Sequence, residues 1–355
     1  MSEDIMKFLE EKRKDIDEAI RKYLPENFSP EYMENMIGKA RYEYDLDALN
    51  SALTKPIWDF LSRGGKRWRP ALFLLIAEAL GADLEKIKDF VIVPELAHNG
   101  SIMADDVEDA GELRRGKPCT HKLYGVDIAV NASTAMYFMP MLVFMKNKNN
   151  FDNETLLRAY KIFGQEMINI HFGQGTDIYW HKGQVDNITE QQYLQMCACK
   201  TGCLARMSAK LAVVLAGGSK EQEEKIGAVA ESIGVGFQIQ DDILSASSEA
   251  FQKGKGFGDD ITEGKRTLMV IYTLQKANEE DRKQLLEILN AHTRDPKLIQ
   301  DAISLLNKYG AISYAKDFAR KIVNDAWKEA EGLLPESDAK KKLKAFVDFL
   351  IERKI

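Results

Sequence analysis

Two pairs of adjacent acids are the residues best placed to do chemistry. In ELAHNGSIMADDVEDAGELRRGKP, Asp105 and Asp109 fall one helical turn apart on one face, with Asp106 beside them. Like charges at i and i+4 destabilise a helix, so this spacing calls for a cation. The residues just before them, Ser101, Ile102, Met103 and Ala104, are small or apolar, which sets the acids at the wall of a core. Mg²⁺ suits such a place. It takes hard oxygen ligands, keeps several waters, and usually binds one or two carboxylates together with substrate phosphate oxygens. Arg114 and Arg115 follow, and guanidinium groups grip phosphate with two parallel hydrogen bonds.

The second pair, Asp241 and Asp242, closes the apolar run GVGFQIQDDILS and is trailed by Lys255, Asp260 and Lys265. A lone DD pair reads most simply as a helix cap or a solvated face. Two such pairs on apolar helices, each followed by cations, point instead to a divided site in which acids clamp a metal-bound diphosphate and lysines complete its charge shell. The cations of this chain concentrate in three glycine-bearing stretches: SRGGKRWRP, LRRGKP and KGKGFGDDITEGKR. Each reads as a helix end meeting a loop.

The elements that must hold these groups are helical. Apolar residues recur at helical spacing in Ala71 to Leu80, Cys203 to Ala216 and Thr267 to Leu274, and strand-like alternation is scarce. The last run is expected to continue as one helix into QKANEEDRKQLLEIL. Prolines at Pro25, Pro30, Pro70, Pro118 and Pro296 sit at credible boundaries. The 355 residues suggest about two domains by length alone. No repeat or linker divides them, so the expectation is an all-α chain: an N-terminal helical appendage over 1–45 packed on one large helical bundle over 46–355. A hydrophobic content of 45% supplies a large core, and a net charge of −6 argues against a nucleic-acid-coating protein. No apolar run approaches the roughly 20 residues of a spanning helix, and the charged N-terminus is not signal-like, so a soluble cytoplasmic protein is expected. Cys119, Cys197, Cys199 and Cys203 match no common zinc spacing and read as buried thiols.

On these residues the chain resembles the trans-type prenyl diphosphate synthases, an isoprenoid synthase fold built around a central apolar cavity. The resemblance runs from about Gly64 to about Thr267 through six ordered motifs: GGKRWRP, HNGSIMADDVEDAGELRRGKPCTHKLYG, GQGTDIYW, KTG, GFQIQDD and GKGFGDDITEGKRT. Their spelling is most similar to that of geranylgeranyl diphosphate synthases. The resemblance implies that Lys66, Arg69, His98 and Arg115 hold the diphosphate of isopentenyl diphosphate. It implies that Asp105, Asp106, Asp109, Asp241 and Asp242 serve Mg²⁺ on an allylic diphosphate, several ions to a site. Arg114, Lys200, Lys255 and Lys265 would contact that diphosphate, with Thr201 and Gln238 near the developing allylic cation. Gln174 and Asp177 match an element close to the metals. Ser245 stands where the wider family has the last Asp of its second motif, and Asp260 is a candidate to help there.

The implied reaction is ionisation, condensation and elimination, in a cavity dry enough to protect a carbocation. Gly100 and Ser101, one turn before Asp105, leave room for a growing tail. Tyr137, Phe138 and His171 are the candidate floor for a C20 product. His121 is expected to brace its loop, His181 and His292 to face solvent, and Trp180 to be structural. The alternatives are a shorter-chain farnesyl or longer-chain polyprenyl synthase, a terpene cyclase or head-to-head condensing enzyme, a non-catalytic subunit of such a synthase, and a di-metal carboxylate bundle. The second-diphosphate residues disfavour a cyclase, the intact DDVED disfavours a non-catalytic subunit, and only Glu95 with His98 has the Glu-x-x-His spacing of a di-metal bundle. The resemblance also implies a homodimer.

Overall fold

The computed structural model describes residues 2–185, 187–247 and 258–352. It is 79% helical. Among the described residues the one β element is a hairpin pairing Leu113–Arg114 with Lys117–Pro118. Contacts divide the chain into two compact units: Met1–Met167 with Met207–Glu224 and Leu334–Ala345, and Ile168–Arg206 with Lys225–Leu333 and Phe346–Ile355.

The segment expected as an N-terminal appendage falls within the first unit. The Ser2–Tyr23 helix buries Ile5, Leu9, Ile16, Ile20 and Tyr23 along one stripe. Its end is pinned by Asp89, which accepts hydrogen bonds from Tyr23 Oη at 2.7 Å and Lys22 Nζ at 2.6 Å. The Trp68–Ala79 helix is apolar on every side, because WRPALFLLIAEA leaves no polar face, and it is buried almost throughout. The Ile92–Glu108 helix buries Ile92, Val93, Leu96, Ala97 and Met103, then runs out into its acids.

In the second unit, the expected single helix after Thr267 is two. Thr267 caps Leu268–Lys276, and Asn278 caps Glu279–Asn290 by accepting from Asp281 N at 2.9 Å. The Asn-Glu-Glu-Asp signal is a helix start with an acidic first turn, and apolar spacing alone misses it. Three of the cysteines are buried and all four are free thiols.

One stretch departs from the expectation about membranes. Val126–Lys146, 21 residues with a mean hydropathy of 1.5, is long and apolar enough to cross a bilayer by length and composition. It consists of two helices, Val126–Phe138 and Met141–Lys146, separated at Pro140, and 44% of its most apolar 18-residue window is buried inside the protein.

Candidate active site

Each unit carries its own set of the expected residues. In the first, the Ile92–Glu108 helix ends at DDVED, with Asp109 N–H donating to the Asp105 carbonyl at 2.9 Å. No base lies in its last turn, so these carboxylates crowd the negative end of the helix dipole. Asp105 is half-buried, whereas Asp106 turns inward and is 1% exposed. Arg114 grips Asp106 Oδ1 through Nε at 2.7 Å and Nη2 at 2.6 Å. Burial raises the Asp106 pKa, and the guanidinium pulls the other way. Its second oxygen is buried without a hydrogen-bond partner in the protein.

The hairpin explains how neighbouring arginines serve different ends. Its two loop residues, Arg115 at φ 54° and Gly116 at φ 76°, both adopt the left-handed conformation of a tight I′-like turn. Arg114 therefore reaches Asp106. Arg115 lies against the Phe60 ring, 5.1 Å from its centroid, and donates to Gly64 O and to Asn99 Oδ1, the latter at 3.3 Å.

Arg69, 4% exposed in the first turn of its helix, places Nη1 3.1 Å from His98 Nε2. A guanidinium can only donate, so Nε2 accepts and the imidazole proton sits on Nδ1. Burial, with Arg69, Arg115, Arg67 and Arg114 adding positive charge, holds the His98 pKa well below its ordinary value. Burial, with Arg67 and Arg114 adding repulsion, lowers that of Arg115 to about 10, so it remains charged at neutral pH. A neutral imidazole among guanidiniums is a place for an anion. Lys66, three positions before Arg69 in the chain, is exposed. Sequence reasoning missed Arg67 and Asn99, and it read Glu95 only as a spacing with His98, whereas these three are buried groups bonded to one another behind this cluster.

In the second unit, Lys200 and Thr201 sit on a widened π-helical turn, Ala198–Gly202. The Asn153–Tyr179 helix reaches this turn at Gly173, where a Cβ would lie 2.2 Å from Lys200 N, so only glycine fits. One turn later Asp177 accepts from Lys200 Nζ at 2.6 Å. Burial opposes the Asp177 charge, but Lys200 and Lys265 override it and lower its pKa. Thr201 Oγ1 donates to Gln238 Oε1 at 2.8 Å, and Gln238 Nε2 donates to Asp242 Oδ1 at 2.8 Å. The other Asp242 oxygen accepts from the buried Tyr193 hydroxyl at 2.9 Å. Burial and the charge of Asp260 raise the Asp242 pKa. Asp241 is half-buried, and Ser245 is buried. Lys265 Nζ lies 3.7 Å from Asp260 Oδ1 and also pairs with Glu263. Gln174 is half-buried, and Lys255 lies outside the described residues.

Among the described residues no three His, Cys, Asp or Glu side chains converge to hold a metal by themselves. The donor chemistry still fits Mg²⁺, which completes its shell with water and substrate phosphate. Asp105 and Asp109 end a helix whose last turn carries no base, and Asp241 lies within the Lys220–Ser247 helix, six residues before its end.

The floor residues do not behave alike. Tyr137 is half-buried, and burial, with Glu108 and Asp105 nearby, pushes its phenol pKa up. Phe138 is 63% exposed, and His171 is exposed. Trp180 is buried, as a structural aromatic should be. His181, expected at the surface, is also buried, because the π-helical turn Trp180–Gln184 folds it inward. His292 is exposed, and His121 is half-buried.

A profile described as polyprenyl synthetase matches residues 50–306. A short chain isoprenyl diphosphate synthase of Methanothermobacter thermautotrophicus is 35% identical over 82% of this chain and 88% of its own length. A geranylgeranyl pyrophosphate synthase of Geoglobus acetivorans is 33% identical over 83% of this chain and 88% of its own. The crystal structure of the geranylgeranyl pyrophosphate synthetase of Pyrococcus horikoshii superposes with a TM-score of 0.85 at 29% identity, covering 99% of each chain. With the profile spanning well over half its length and these relatives covering four-fifths of it, the chain belongs to the polyprenyl synthetase family.

Proposed function

We propose that this chain is a Mg²⁺-dependent prenyltransferase that joins isopentenyl diphosphate to an allylic diphosphate and makes C20 geranylgeranyl diphosphate. The observation that carries the reading is the neutral His98 beside Arg69, ringed by positive charge and distinct from the acids. An enzyme with one diphosphate substrate has no use for a second anion site. The names of the relatives support the product class.

In this reading Lys66, Arg69, His98 and Arg115 bind the diphosphate of isopentenyl diphosphate. Asp105, Asp109 and Asp241 ligate the metal on the allylic diphosphate. Asp106 and Asp242 act behind them, since each is buried and already engaged, by Arg114 and by Gln238 with Tyr193. Arg114 therefore serves Asp106 before it serves substrate. When bound, Mg²⁺ neutralises charge gathering on the leaving diphosphate. Lys200 and Lys265 share that task, and Lys200 must exchange Asp177 for phosphate oxygen. The allylic C–O bond breaks and its electron pair leaves with the diphosphate. Thr201 and Gln238 turn polar groups to the allylic cation. The double bond of isopentenyl diphosphate then attacks to form the new C–C bond, and a proton leaves the adduct for the released pyrophosphate, restoring a double bond.

A homodimer suits the exposed apolar residues Val126, Val130 and Phe138, which lie at helical spacing along Val126–Phe138. The free thiols suit a reducing cytoplasm. The test is direct: purified protein, Mg²⁺, labelled isopentenyl diphosphate and C5, C10 or C15 primers, with products sized by chromatography. Elongation to C20 that stops on chelation supports the reading. No metal-dependent elongation from any primer overturns it, and a longer or shorter ladder overturns the C20 assignment alone.

A further inference from the structure

Arg67 stands between Lys66 and Arg69 in GGKRWRP, yet its side chain is held by two acids and a carbonyl, whereas that of Arg69 meets His98. It is 4% exposed, and its Nε, Nη1 and Nη2 are all engaged: Asp17 Oδ1 at 3.2 Å, Glu95 Oε1 at 2.6 Å and Leu61 O at 3.1 Å. Its backbone is left-handed at φ 49°, a conformation a side-chain-bearing residue holds only when its surroundings impose it. The bonds to Asp17, Glu95 and Leu61 impose it. They thereby set the direction in which the chain presents Lys66 before it and Arg69 after it.

The line of contacts continues. The same Glu95 oxygen accepts from Asn99 Nδ2 at 2.6 Å, and Asn99 Oδ1 accepts from Arg115 Nη2 at 3.3 Å. Arg115, also left-handed at φ 54°, closes the line by donating to Gly64 O, at the start of the loop that carries Arg67. Glu95 and Asn99 are fully enclosed, at 2% and 0% exposure. The residues from Asp17 to Arg115 thus form one relay within the first unit, with Arg67, Glu95 and Asn99 buried and its two ends half-buried.

We propose that Asp17, Arg67, Glu95 and Asn99 are positioning residues for the isopentenyl diphosphate site, and that the N-terminal helix sets affinity for that substrate through Asp17. This rests on the reading of Lys66, Arg69, His98 and Arg115 given above. A diphosphate needs its cations at fixed spacing, and cations so placed repel one another in its absence. Glu95 and Asp17 offset the charge of Arg67 and hold it away from the substrate cations, while Asn99 turns the Arg115 guanidinium. Asp17 lies before residue 50, where the match to the family profile begins.

The experiment compares full-length wild type, Asp17→Asn and Asp17→Glu, with helix content checked by circular dichroism. Asp17→Asn should raise KM for isopentenyl diphosphate roughly tenfold while leaving kcat and the allylic KM within about twofold. Asp17→Glu should restore KM, and calorimetric titration of isopentenyl diphosphate should follow the same order. An unchanged KM in Asp17→Asn overturns the relay. So does a loss of kcat shared by both substrates, which marks a purely structural helix. Should Asp17→Asn lose helix content, Glu95→Gln replaces it and is read in the same way. A wild type that neither elongates nor binds isopentenyl diphosphate overturns the underlying site itself, whatever the variants do.

Discussion

The ring of Tyr137 packs against the backbone of Gly100: a Cβ added there would lie 3.1 Å from Tyr137 Cε1, 3.1 Å from Met136 Cβ and 2.9 Å from Ser133 O. The Val126–Phe138 and Ile92–Glu108 helices meet at this glycine, one turn before Asp105. Gly100→Ala is expected to destabilise the fold by about 1–3 kcal/mol. Tyr137→Ala should not rescue it, because Ser133 O is backbone and cannot step aside. Urea unfolding of the single and double variants reads both outcomes.

The same packing separates the two floor candidates. Tyr137 sits beside Gly100, whereas Phe138 is 63% exposed. Tyr137→Ala should lengthen the product beyond C20, and Phe138→Ala should leave it unchanged, as product chromatography from a C15 primer will show. Lengthening by Phe138→Ala alone would count against this reading.

Arg114 balances a carboxylate that is 1% exposed. Arg114→Ala leaves that charge buried and unpaired. The expected loss is about 3 kcal/mol, the low end for a buried pair, because 25% of the Arg114 side chain still meets solvent. Arg114→Lys should recover little, since an ammonium cannot reproduce the forked contact. Urea unfolding midpoints at neutral pH measure both.

His98 is held neutral by burial and by surrounding arginines, so its folded pKa lies well below its unfolded value near 6.5. Below about pH 6.5 the unfolded chain takes up a proton that the folded chain refuses. Stability therefore falls as the pH drops, and His98→Gln should flatten that acid slope. Nitrogen NMR of the imidazole should show no protonation of His98 between pH 7 and about pH 6, where a solvated histidine titrates.

Tyr193 supports Asp242 from inside the protein. Tyr193→Phe should cost about 1–3 kcal/mol of stability by leaving a buried acceptor short of a donor. It should also lower kcat more than either KM, because Gln238 and Thr201 take their orientation from the same carboxyl. Steady-state kinetics beside a melting curve separate the two effects.

Much of this protein was legible in its sequence for a physical reason: helical burial repeats at short range. ALFLLIAEAL announces a buried helix, and Asp105 with Asp109 share a face by spacing alone. The local motifs sufficed to bring Arg69, His98 and Arg115 into one hypothesis, and Lys200, Thr201 and Gln238 into another. Long-range partners leave no such trace. Arg67 meets Glu95 across 28 positions and Asp17 across 50, and Tyr193 meets Asp242 across 49. Periodicity says that a residue faces inward, not whom it meets there. For that reason tertiary structure alone decided that Arg67 is held by Asp17, Glu95 and the Leu61 carbonyl. It alone set Asp106 and Asp242 behind other acids, buried His181, and left Phe138 at the surface.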